Sequence, residues 1–170
     1  MWQTLWQKAV KALTSESTTL PKDIITELKD FPQMSTGAPI PQISKANGAL
    51  VLIYRCFEED DGVERCAKVT FERAWWYQMG WPNDEVLHAH PLYRNGLKFY
   101  AVQEVSPSLQ IARLKAGNSR HHKHHDGFFA DSRHLIFTFK DETLEVVCEG
   151  YTIERIEGDP YGLSKNVTRL

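Results

Sequence analysis

The sequence predicts an α+β domain: an antiparallel sheet of about five strands, with short helices at the N-terminus and after the third strand. Three observations predict it. Runs rich in branched and aromatic residues, some of them alternating apolar with polar, succeed one another with turn signals between them, as hairpins do. Helical spacing of apolar residues is confined to the first thirty positions and to a stretch near position 110. The length, 170 residues, suits a single domain that buries about two thirds of its unfolded surface and needs no metal or disulfide staple. The same strand count could instead curl into a half-barrel.

In chain order, Trp2, Leu5, Trp6, Ala9, Val10 and Leu13 fall at spacings of three and four. They predict a short helix whose stripe packs on the domain rather than on a membrane surface. Thr19 can cap a second helix from Pro21 to Asp30, with Ile24, Leu28 and Phe31 as its stripe. Residues 1–36 thus form an N-terminal helical segment. Gly37-Ala-Pro-Ile-Pro41 cannot sustain a helix and delivers the chain, extended, to the sheet.

The apolar run from Ala49 to Phe57 reads as a central strand covered on both faces, and Glu58 to Gly62 as its turn. The return strand alternates Ala67, Val69 and Phe71 with Lys68, Thr70 and Glu72, so one of its faces meets solvent. Pairing about Asp61 sets Cys56 opposite Cys66, where a bridge is conceivable. Three cysteines without a C-x-x-C pair instead fit reduced, buried thiols. Leu97 to Val105 is the third strand. Ser106 as cap and Pro107 in the first turn start a helix carrying Leu109, Ile111, Ala112 and Leu114, and Gly117-Asn118 stops it. Ser119 to Asp126 is a polar loop. His134 to Lys140 and Thr143 to Ile156 make the last hairpin, with Leu135, Phe137 and Phe139 on one face and His134, Ile136 and Thr138 on the other. The sheet core spans 37–157, and the polar stretch 158–170 is expected to be a mobile tail.

A formal charge of −2 with 25% charged residues gives no global field for nucleic acid or membrane. No run of 18 apolar residues occurs, and Lys8 and Lys11 interrupt the first segment, so neither a leader nor a membrane span is expected and the cytoplasm is the expected compartment. Charge is uneven locally. Ser106 to His125 holds Arg113, Lys115, Arg120 and Lys123 and no carboxylate, whereas Asp141 to Asp159 holds seven carboxylates and one arginine. Mutual attraction of the two segments is the simplest account, and two partner surfaces is the other. The basic run lacks interleaved aromatics, which argues against nucleic acid.

Functional groups concentrate between Gly80 and Gly96. The binding candidates are Trp81, Asn83, Asp84, Glu85, His90, Tyr93 and Arg94, with Glu85 the candidate catalytic base and Arg94 a site for an anion. The plainer reading makes Asn83, Asp84 and Glu85 capping and turn groups, with Asn83 capping a turn through Val86 and Leu87. His88 and His90, with His122, His125 and Asp126 of the histidine-rich loop, are the metal candidates, and His134 could complete the shell. No H-E-x-x-H motif, G-x-S-x-G elbow or glycine-rich phosphate loop is present, and Cys148 reads as a buried, inert thiol.

Gly37-Ala-Pro-Ile-Pro41, Pro82-Asn-Asp-Glu85, His90-Pro-Leu-Tyr93 with Gly96-Leu97, Glu104-Val105, His125-Asp126, and Arg133-His-Leu-Ile-Phe-Thr-Phe139 with Asp141 and Glu145 together resemble an uncharacterised family of small bacterial proteins. The resemblance spans Gly37 to Tyr151. It implies a single domain and a bacterial origin, and no activity. The chain departs from the family pattern at Lys140, where histidine is usual, and at Val146, where cysteine is usual.

The leading expectation is a cytoplasmic interaction or binding protein, of immunity type, that joins the 81–94 and 118–126 loops into one surface for another protein, with no cofactor. The alternative is a metal-dependent hydrolase holding a transition metal such as zinc.

Overall fold

A computed structural model describes residues 22–57 and 61–167. The expected helix through Trp2 and Leu13 lies outside these residues. The strands are β1 (Ile25–Glu27), β2 (Gln42–Ala46), β3 (Ala49–Arg55), β4 (Arg65–Glu72), β5 (Trp76–Gly80), β6 (Val102–Val105), β7 (Arg133–Thr138), β8 (Thr143–Cys148) and β9 (Gly150–Glu157). Among the described residues two α-helices, α1 (Leu109–Asn118) and α2 (Pro160–Val167), accompany them. No helix among the described residues is long and apolar enough to cross a membrane.

The class is α+β as expected, but the strands form two antiparallel sheets, β1-β6-β7-β8-β5 and β2-β3-β4-β9, and neither closes into a barrel. Alternation explains the layering. Leu50, Leu52 and Tyr54 of β3 with Ala67, Val69 and Phe71 of β4 point between the sheets, where they meet Val102, Leu135, Phe137, Leu144, Val146 and Cys148. Phe137 sits at the centre, its ring centroid 5.4 Å from Phe31, 5.9 Å from Phe71 and 6.5 Å from Tyr54. The other side of β3, Val51 and Ile53, is covered by Leu163 of α2, so β3 is buried on both faces as its composition predicts.

Several expected elements are corrected. Where a helix over 21–30 was expected, the chain forms β1, with Ile25 opposite Val105. The β-branched run Ile24-Ile25-Thr26 resists a helix, and the edge of β6 offers it hydrogen bonds. The third strand begins only at Val102, because the fully buried Gln103 side chain folds back to accept from Lys98 N at 2.7 Å and donate to Lys98 O at 3.2 Å. The helix start falls two residues later than expected, with Ser108 as the cap of α1, its Oγ accepting from Ile111 N. Arg55 rather than Cys56 lies opposite Cys66, and all three cysteines are buried and outside any disulfide. Burial pushes the thiols of Cys66 and Cys148 up to about 12, so neither is a ready nucleophile. The final strand breaks at Glu149 into β8 and β9, one in each sheet. The stretch expected as a tail contains α2.

At the corner between the sheets, β4 runs on into β5 and β8 into β9. Glu149 N bonds Glu72 O and Trp75 N bonds Val147 O, which keeps the ladder continuous round the bend. The outer face of the first sheet presents Trp76 and Gln78 of β5, Glu145 of β8 and His134 and Ile136 of β7. Leu87, Leu92 and Leu97 of the 84–97 loop pack on Ile136 and roof part of this face.

Candidate functional site

Where that roof stops, a cleft of about 590 Å³ opens between the outer sheet face, the 81–95 loop and the first turns of α1. Its floor carries Trp76, Gln78, His134 and Glu145, and its walls carry Trp81, His90, Gln110 and Arg113. Each position follows from local structure. β5, β7 and β8 are antiparallel neighbours, so alternate residues of all three share the face. The loop is shaped by two 3₁₀ turns, Asp84–Ala89 and Tyr93–Asn95, the second ending on Gly96 at φ 102°, a left-handed conformation that glycine adopts without a Cβ clash. Asp23, itself buried, ties the roof together. Its carboxylate accepts from Leu109 N at 2.7 Å and its carbonyl from Asn95 Nδ2 at 2.9 Å.

The floor is an ordered chain of polar groups. Glu145 lies between two buried imidazoles, with Oε1 3.2 Å from His90 Nε2 and Oε2 2.9 Å from His134 Nε2. Leu92 N donates to His90 Nδ1 at 3.1 Å, so the proton of that ring sits on Nε2, facing the carboxylate. His134 Nδ1 is 2.9 Å from Ser108 Oγ. Burial raises the pKa of Glu145, but the hydrogen bonds from His134 and His90 outweigh it and hold the carboxyl at about 2, so the group is an anion throughout the neutral range. Ser108, His134 and Glu145 are the residue types of a hydrolytic relay, yet Ser108 is the helix cap and does not line the cleft. The chain of bonds orients and fixes the floor rather than presenting an attacking hydroxyl.

Of the expected site residues, Trp81 and His90 line the cleft. Trp81 is exposed at its rim, and His90 is turned inward to Glu145. Asn83 precedes the first 3₁₀ turn but makes no side-chain cap bond, which corrects its expected capping role. Asp84 accepts from the Tyr100 hydroxyl, and that bond, followed by burial, pushes the Tyr100 phenol up to about 12. Glu85, His88 and Arg94 are exposed and Tyr93 packs beside Phe99, all away from the cleft lining.

The histidine-rich loop does not join the cleft lining. His122 is exposed and stacked on His121, centroids 4.5 Å apart, and His125 stacks on Phe128 at 4.1 Å. Asp126 opens a third 3₁₀ turn, Asp126–Phe129. Among the described residues no group of three or more His, Cys, Asp or Glu side chains is arranged to hold a metal ion. Glu145, Glu149 and Glu154 of the acidic segment have partners outside the basic run. Glu145 meets the two histidines, Glu149 meets Arg73 at 3.2 Å and Glu154 meets Lys68 at 2.8 Å.

Sequence reasoning missed Glu145, Trp76, Gln78, Gln110 and Arg113 as site residues. A carboxylate between Leu144 and Val146 reads as an ordinary solvated strand position. The signal that could have found it is the hairpin register: the turn at Lys140–Thr143 pairs Thr138 with Thr143 and Ile136 with Glu145, which puts Glu145 diagonal to His134 on one face. No family model, curated protein or solved structure matches the chain.

Proposed function

We propose that this is a cytoplasmic bacterial binding protein, of the family of small proteins its motifs resemble, whose working surface is the cleft over Glu145. One observation carries the reading. Arg113 stands at the wall of a cleft that also holds two indoles, with no ion-pair partner among the described residues, while Glu145, His90 and His134 beneath are already oriented by hydrogen bonds. A guanidinium left unmatched beside Trp76 and Trp81 is what recognition of an incoming group requires, because a ligand then gains the full charge-assisted contact. The volume falls within the range of ligand pockets, about 300–1,000 Å³. Arg113, Gln110 and Trp81 are displayed on the outer surface, so they are free to meet a ligand without unfolding the core.

The test is a small-molecule library screened by thermal shift against the wild type, Trp81→Ala and Arg113→Gln. Compounds that raise the melting temperature of the wild type and lose their effect in both variants support the reading. A library in which every stabilising compound acts equally on all three proteins refutes it.

A further inference from the structure

We infer that the ligand of the cleft is a small zwitterion with a flat apolar part, an α-amino acid with an aromatic side chain or a close analogue. The inference rests on the binding reading above and adds the chemistry of the ligand. The cleft is bipolar. Its floor holds a carboxylate, Glu145, and its wall holds a guanidinium, Arg113, and the two are not paired with each other. Here Glu145 is held down on the sheet by two imidazole N–H groups, and Arg113 is carried on α1, whose start is fixed by Asp23 and Ser108.

Glu145 retains acceptor capacity. An ionised carboxylate offers about four lone-pair positions, and His90 and His134 occupy one on each oxygen. The remaining ones suit a group with several donors and a positive charge, which describes an ammonium better than a hydroxyl. Arg113 suits a carboxylate, which its planar fork binds through two parallel hydrogen bonds. The same cleft holds Trp76, whose ring lies edge-on to His134 with centroids 6.4 Å apart, and Trp81 at the rim. Indole faces stack on planar rings and also attract a cation. Gln78 and Gln110 supply neutral donors and acceptors for the rest of the ligand. A ligand with only a negative charge would meet an uncompensated anion on the floor, and one with only a positive charge would leave Arg113 unmatched. The zwitterion satisfies both ends.

Isothermal titration of the full chain at pH 7 with L-phenylalanine, phenethylamine and 3-phenylpropionate tests this, since the last two each lack one charge. L-Phenylalanine is expected to bind about 10-fold more tightly than either, which corresponds to about 1.4 kcal/mol. In Arg113→Gln its advantage over phenethylamine disappears while its advantage over 3-phenylpropionate remains. Trp81→Ala weakens all three. Equal binding of the three probes, or tighter binding of the amine or the acid, overturns the assignment to a zwitterion. If none of the three binds but compounds of another class do, with sensitivity to Trp81→Ala, the ligand class falls and the binding cleft stands. If nothing in the library binds with that sensitivity, both fall.

Discussion

At the scale of single residues, the molecule turns on a carboxylate that the sheet sets down between two imidazoles. Glu145 titrates below its ordinary value of 4.5, at about 2 in the folded chain. A carboxyl whose folded pKa is depressed contributes stability that is complete above the unfolded value and is lost as pH falls through the folded one. Glu145→Gln replaces two anionic acceptors by one neutral oxygen, and at pH 7 it is expected to cost about 2 kcal/mol. Urea titrations should show that deficit shrinking between pH 4.5 and pH 2, the window set by the two values. A deficit constant across that window would mean that the histidines do not hold the charge. The imidazoles themselves stood out in the sequence, one in the 81–94 loop and one on the last hairpin, but their meeting point did not. His90 and His134 are 44 positions apart, and only the packing of a loop on a sheet face brings them to one carboxylate.

At the scale of elements, Ser108 serves α1 and the floor at once. Its hydroxyl accepts from Ile111 N at 3.2 Å and lies 2.9 Å from His134 Nδ1. Ser108→Ala removes the cap, worth about 1 kcal/mol, and leaves a buried ring nitrogen without its partner, worth about another 1 kcal/mol. The denaturation midpoint should therefore fall in Ser108→Ala and be largely kept in Ser108→Thr, which retains the hydroxyl. α2 gives a second case. Leu163 covers Val51 and Ile53 of β3, and Leu163→Ala is expected to lose about 1–2 kcal/mol, less than a fully buried leucine because the side chain is only partly covered. What was legible at this scale followed from hydrophobic patterning. The strands at 65–72 and 133–138 read from their alternation and that at 49–55 from its unbroken apolar run, because burial on one face or two writes itself into the composition. What was not legible depended on partners distant in sequence. Ile24, Leu28 and Phe31 satisfy a helical stripe, yet the chain there is a strand because β6 supplies an unpaired edge, and no local pattern announces an edge.

At the scale of the whole molecule, the two sheets are joined through one aromatic side chain more than any other. Phe137 of the first sheet touches Phe71 and Tyr54 of the second and Phe31 of the segment between β1 and β2. Phe137→Ala is expected to cost about 3–5 kcal/mol, a large share of the roughly 5–15 kcal/mol by which domains are stable. Calorimetry should record a steep fall in melting temperature, and a variant that melts like the wild type would show that the sheets do not share a core. The sequence announced the strands without announcing their division, because the break between β8 and β9 shows only as a one-residue shift of phase, from Leu144, Val146 and Cys148 to Tyr151 and Ile153. The bend itself has a further effect. Since β4–β5 and β8–β9 remain hydrogen-bonded partners round the corner, a slip of β8–β9 by one position would invert its faces in both sheets together, driving Glu145 of β8 into hydrocarbon and Ile153 of β9 into water. Misaligned pairing is thereby penalised twice over, and these two bent strands can shear only by disrupting both sheets at once. Amide hydrogen exchange should accordingly find Val146 and Ile153, one in each sheet, exchanging through the same opening event with the same free energy.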